Sequence, residues 1–106
     1  MKILDQDTLM AVMPGATHRL DMGGVTAVIY YEDESRAHML LPDGKDYSGR
    51  WRLHEDGYSV DWKDGPSAAW KLGRADGAIH YIDAGGAARA RLTAIEYANT
   101  AGLPKG

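Results

Sequence analysis

The residues best equipped to do chemistry in this chain are its large rings. Trp51, Trp62 and Trp70 recur with Tyr31, Tyr58 and Tyr81 among a total of three Trp and six Tyr, and Phe is wholly absent. Every large ring therefore carries an N–H or O–H that seeks a partner when buried. Gathered on one surface, such rings offer rigid contact area and a few polar groups to orient a small apolar or aromatic molecule. These six are the candidate ligand-binding residues. The same rings could instead fill the interior of the fold and leave no room for a ligand.

Other chemistry finds less support. His18, His38, His54 and His80 fall on four different expected strands, which is one way to assemble a metal or haem site, but their spacing matches no ligand motif. No metal and no cofactor is assigned. The acidic run Glu32, Asp33 and Glu34 does not reproduce the oxygen-ligand loop of an EF-hand, and an Asp in a turn already bonds its own backbone. Two carboxyls acting as acid and base would have to converge in a cleft, which no local spacing enforces, so catalytic residues stay unknown. Arg50 and Arg52 flank Trp51, and Arg89 with Arg91 repeats the alternation, which suggests a strip for single-stranded nucleic acid. Strand geometry places Arg50 and Arg52 on the face opposite Trp51, and the net charge is -3, so neither nucleic acid nor an anionic membrane is expected as partner.

With 106 residues the chain is most simply one domain spanning 1–106. A domain of this size buries roughly 65% of its unfolded surface and holds one real core. The absence of Cys excludes disulfides, thiolate catalysis and Cys-based zinc or iron–sulfur sites, and fits a reducing compartment. Apolar positions from Met1 to Gly15 are interrupted by Lys2, Asp5 and Asp7, so no secretory leader can be drawn and the expected location is the cytoplasm. No run of about 18 apolar residues is present to span a membrane as a helix.

The rings must be positioned by short strands, because turn-forming pairs recur between them: Asp43-Gly44, Asp56-Gly57, Asp64-Gly65, Asp76-Gly77 and Gly85-Gly86. Asp-Gly between aromatic or β-branched runs is a strong hairpin signal. The pattern predicts eight strands, at about 16–21, 25–32, 36–41, 47–54, 58–63, 67–73, 78–83 and 87–97. A short helix precedes them over about 7–13, capped by Asp5 or Asp7, striped by Leu9, Met10 and Met13, ended by Pro14-Gly15, and suited to act as a lid or plug.

A two-residue turn at Asp56-Gly57 would pair Trp51 with Trp62 and Leu53 with Val60 on one face, with Arg52 opposite Asp61 and His54 opposite Ser59 on the other. A three-residue loop at Asp64-Gly65-Pro66 would keep Val60 and Trp62 on the face of Ala68, Trp70 and Leu72, and set Ser59 opposite Lys71. An even loop at Arg74 to Gly77 turns Tyr81 and Ile79 inward and an odd one turns His80 inward. Ala88, Ala90, Leu92 and Ala94 share one face of the last strand. The inward faces of the second, third and seventh strands stay open.

Eight one-sided strands leave two exposed edges unless the sheet closes, so the expectation is an all-β, eight-stranded antiparallel up-and-down barrel. With Gly49-Arg50-Trp51 in the Gly-x-Trp form and the hairpin from Gly49 to Trp62, the chain resembles the calycin-type barrels, the lipocalin and streptavidin-like group, and small bacterial lipocalin-like domains of unassigned function. In lipocalins that motif stands on the first barrel strand, and here it falls on the fourth. The resemblance implies a cup closed at one end that takes a small, mostly apolar molecule. Three function classes follow: a cytoplasmic, soluble barrel binding a small molecule in its lumen, a cofactor-free lyase or isomerase using the same cavity, and a filled barrel acting as a structural or interaction module, with a homodimer as one partner state.

Overall fold

The computed structural model describes residues 2–63, 65 and 67–98. Its elements are β1 (Lys2–Ile3), α1 (Gln6–Val12), β2 (Ala16–Asp21), β3 (Thr26–Tyr31), β4 (Arg36–Leu40), β5 (Asp46–Leu53), β6 (Tyr58–Trp62), β7 (Ser67–Ala75), β8 (Ala78–Ile82) and β9 (Ala88–Glu96). Each of β2 to β9 pairs antiparallel with the next, and β9 returns to β2, so eight strands close into an up-and-down barrel. Closure leaves no long edge unpaired. The short β1 is an addition to the expected eight: Ile3 lies opposite Gly73 and Lys2 opposite Arg74, on the β7 edge that β6 no longer covers and β8 does not occupy.

Asp5 caps α1 by accepting from the Thr8 amide at 2.9 Å and the Thr8 hydroxyl at 2.7 Å. Leu9 and Met13 are fully buried in the barrel core, so the helix is a plug. Alternation along the strands puts Leu20, Ile29, Tyr31, Ala37, Trp51, Tyr58, Val60, Trp62, Leu72, Tyr81 and Ala90 inside. A second, smaller cluster of Val28 and Tyr30, with Leu40 against it, lies on the other face of β3 and β4.

The turns use their aspartates as backbone acceptors. Asp21 accepts from the Gly23 and Gly24 amides, Asp33 from Ser35 and Arg36, Asp43 from Lys45, and Asp83 from Gly85 and Ala87. At Asp76-Gly77 both residues have positive φ, 53° and 76°, which is the primed two-residue turn. Ala75 then opposes Ala78 and Leu72 opposes Tyr81, so Tyr81 faces inward and His80 lies opposite Gly73.

Two hairpins differ from the expected register by two residues. In β5–β6, Trp51 opposes Val60, Leu53 opposes Tyr58, Gly49 opposes Trp62 and Arg50, not Arg52, opposes Asp61. The tip is Glu55-Asp56, closed by the His54 amide donating to the Gly57 carbonyl at 2.7 Å. Gly57 has no positive φ, and a Cβ there would stand 2.3 Å from the Trp70 carbonyl oxygen. It is a close-approach glycine that admits the neighbouring strand, which is why the turn forms one step earlier. In β6–β7, Ser59 opposes Ala69 and Val60 opposes Ala68. Asp64 and Pro66 of the expected loop lie outside the described residues. A shift of two preserves every side-chain face, so the inward set is the expected one.

The last strand departs further. Tyr81 opposes Ala90 but Ile82 opposes Ala88, and Leu20 opposes Leu92 but Arg19 opposes Ala94, so Arg89 and Thr93 are bulge residues. Each bulge reverses the alternation, which moves Ala88 and Ala94 to the outer face and leaves Ala90 and Leu92 inside.

Gly49 on β5 has no room for a side chain. A Cβ would lie 2.3 Å from the Asp61 carbonyl oxygen and 2.9 Å from the Trp62 Cα, both backbone. Gly49→Ala is expected to cost about 1–3 kcal/mol, read as a fall in the urea midpoint at unchanged slope. A midpoint equal to wild type would show that the strands separate at no cost.

Candidate functional site

The up-and-down order places the β2–β3, β4–β5, β6–β7 and β8–β9 turns at one end of the barrel and the remaining turns, with α1, at the other. The helix end is packed shut. Between the helix and the lumen lies a layer of buried polar side chains. His18 Nε2 is 2.7 Å from the Val12 carbonyl of α1, and His18 Nδ1 is 2.6 Å from the Tyr81 hydroxyl. The Tyr81 hydroxyl is 2.8 Å from that of Tyr31, which is 2.9 Å from that of Tyr58. All four side chains are at most 2% exposed, and among the described residues no buried side-chain N or O lacks a partner.

Burial sets the protonation of this layer. His18 is pushed down from 6.5 to about 4 by loss of solvent, against a smaller upward pull from the Val12 carbonyl, so it is neutral near pH 7. Tyr31 and Tyr81 are raised well above the usual phenol value and Tyr58 is raised too, in each case first by burial. All three stay phenols, not phenolates.

Above this layer, towards the other end, is a cavity of about 210 Å³. Tyr58 and Tyr81 belong to its wall together with Trp62, Trp70, Val60, Ile29, Met39, Ala68 and Ala90, and Leu20, Met22, Ala27, Leu41 and Arg89 complete the lining. Ala68 and Ala90 supply space opposite the indoles. Met22 and Val25 stand exposed on the β2–β3 turn, at the same end as the cavity. Arg89, re-aimed by its bulge, is held by Asp83 at 2.6 Å. Broader depressions along β8–β9 and over β4–β6 lie on the outer surface, open to solvent.

Of the six sequence-designated rings, Tyr58, Trp62, Trp70 and Tyr81 meet at this cavity. Trp51 and Tyr31 lie deeper. Trp51 packs edge-on against Tyr31 at 5.0 Å and Tyr58 at 6.0 Å between ring centroids, and its Nε1 donates to the carbonyls of Asp33 at 2.9 Å and Arg36 at 3.1 Å. It thus braces the β3–β4 turn. Tyr31 links the other phenols.

The remaining candidates scatter. His38 contacts Ser48 Oγ at 2.9 Å and Glu32 at 3.0 Å, and its ring stacks on Tyr30. His54 contacts Ser59 Oγ at 2.9 Å on the barrel's exterior, and His80 opposes Arg91 on β9. Among the described residues no three His, Cys, Asp or Glu side chains are grouped to hold a metal ion. No helix among them is long and apolar enough to cross a membrane.

Sequence reasoning did not single out His18 as the anchor of a tyrosine layer, nor Met39 and Arg89 as cavity wall. His18 lies three residues into β2 between Ala16 and Leu20, a period-2 signal that points it inward. Arg89 depends on a bulge that no local residue announces. Compared with known protein families, with curated proteins and with solved structures, the chain matches none.

Proposed function

We propose that the barrel binds a compact, mostly apolar molecule in its lumen, after the manner of calycin-type cups. The observation that carries this reading is the cavity of about 210 Å³, walled by Trp62, Trp70, Tyr58 and Tyr81. An engineered apolar cavity of about 150 Å³ is enough to take benzene. Pockets for drug-sized ligands run from roughly 300 Å³ upward. The fitting ligand is therefore one or two rings in size. Wall indoles would hold it by dispersion and area burial, and the phenols beneath would orient it.

A filled structural barrel describes the helix end well, where the polar layer, Leu9 and Met13 leave no space, but not the indole-walled end. An enzyme reading draws on one observation, the His18–Tyr81 contact beneath the cavity. Against it, burial keeps the phenols protonated and both His18 nitrogens are engaged, so among the described residues neither the phenols nor His18 offers the lumen a free base. Residence in a cytoplasm belongs to the same proposal and is supported by the cysteine-free composition, and the bacterial setting by the likeness to small bacterial lipocalin-like domains.

Titration with compounds of this size that are not excited where indole alone absorbs, such as toluene, cyclohexanol and cyclohexanone, is expected to shift or quench tryptophan emission, because Trp62 and Trp70 line the cavity. Emission indifferent to the whole panel would remove the proposal.

A further inference from the structure

We infer that the lumen selects ligands that bring a hydrogen-bond donor, because the Val12 carbonyl orients the hydroxyls of the tyrosine layer in one direction and leaves none of them donating to Tyr58, a residue of the cavity wall. A carbonyl only accepts, so the bond at 2.7 Å requires the proton of His18 to sit on Nε2. His18 is fully buried with no carboxylate among its contacts, and a neutral imidazole then has a bare Nδ1. Tyr81 must donate to it. The single hydroxyl proton of Tyr81 is thereby used, so across the 2.8 Å contact Tyr31 is the donor and Tyr81 accepts. Tyr31 is then used as well, and across the 2.9 Å contact Tyr58 donates to Tyr31.

The chain runs one way: Tyr58 to Tyr31 to Tyr81 to His18 to Val12. The hydroxyls that meet that of Tyr58, those of Tyr31 and Tyr81, have committed their protons to Tyr81 and to His18, and Tyr58 is part of the cavity wall. What the layer offers the lumen is an acceptor and no O–H. A ligand with an N–H or O–H on an otherwise apolar ring matches it. One with only an acceptor meets lone pairs and loses its water without replacement.

This inference rests on the lumen-binding reading, and its test separates the two. Indole, indene and benzofuran share one bicyclic shape and present in turn a donor, neither group, and an acceptor. Calorimetric titration of the whole chain near neutral pH is expected to give indole an affinity about three- to tenfold above indene, with benzofuran no tighter than indene. Equal affinities, or benzofuran as the tightest, would overturn the inference while leaving lumen binding in place. Binding of none of the three would sink both. In folded Tyr58→Phe the indole-to-indene ratio is expected to fall to about one, and a ratio kept at the wild-type value would place the acceptor elsewhere and overturn the assignment.

Discussion

Trp51→Ala is expected to bring the barrel close to its unfolding threshold. The side chain is 2% exposed and packs on Tyr31 and Tyr58, so truncation deletes a buried indole where the surrounding rings cannot collapse. Phe or Trp truncations of this kind cost about 3–5 kcal/mol, out of a typical stability of roughly 5–15 kcal/mol. The indole N–H also bridges the carbonyls of Asp33 and Arg36 across the β3–β4 turn, and both lose that donor. Thermal unfolding followed by far-UV circular dichroism should fall by more than about 10 °C. Trp51→Phe keeps part of the packing and loses the bridge, and should sit in between. A loss under about 1 kcal/mol in the alanine variant would show that the indole braces nothing. Trp70, half-buried beside the cavity, is the internal comparison, because its removal widens an existing space and should cost less.

Acid is expected to destabilise the protein through His18 before Asp5, Asp21, Asp33 and Asp83 take up protons. The imidazole is faced by Tyr81 from β8, by Tyr31 edge-on from β3 at 4.9 Å and by the Val12 carbonyl from α1, with Ile29 and Ile95 as its strand partners, and none of these carries charge. Between pH 6.5 and about 4 the unfolded chain takes up a proton at His18 and the folded chain does not. Stability therefore falls with pH in that window by up to about 1.4 kcal/mol per unit, about 3 kcal/mol in all, and levels off below it. Asp5, Asp21, Asp33 and Asp83 are held below their ordinary 3.8, Asp5 chiefly by the Thr8 amide of α1, Asp21 and Asp33 chiefly by turn amides and Asp83 chiefly by Arg89. Their contribution is present above 3.8 and is lost only as the pH falls further, beneath the His18 window.

Urea midpoints across that range should therefore slope in wild type and lie nearly flat in His18→Gln, whose amide can donate to Val12 and accept from Tyr81 without titrating. Parallel slopes in the two proteins would refute the assignment. Protonated His18 would also present a donor to Tyr81 and reverse the tyrosine chain, so acid should invert the polarity of the lumen as well as loosen it.

Much of this was open to reading along the chain, and the reason is local. Strand positions follow from period-2 alternation between turn residues, and Asp and Gly act on their own neighbours. The expected strands at 36–41 and 58–63 meet β4 at Arg36–Leu40 and β6 at Tyr58–Trp62 for that reason. The β5–β6 register differs by two from the one that an Asp56-Gly57 turn predicts, because Gly57 serves the approach of β7. That contact depends on a third strand, which a hairpin argument does not see. Four of the six designated rings share the cavity because parity survives a two-residue slip, while Trp51 and Tyr31 lie beneath it because depth along a barrel depends on shear, not on alternation.

The sequence by itself determined the class of fold, the strands, the short helix and the shared face of Trp51, Tyr58, Trp62 and Trp70, all through interactions between residues a few positions apart, while the inward turn of Tyr31 and Tyr81 and the helix's place as a plug came from the tertiary structure. Tertiary structure alone decided the bulges at Arg89 and Thr93, the cavity, and the joining of His18 to Tyr81 across 63 residues. Those features exist only once the ring has closed, because closure brings β2, β3, β6 and β8 to a common interior in which His18 and three phenols meet one another and the Val12 carbonyl of α1.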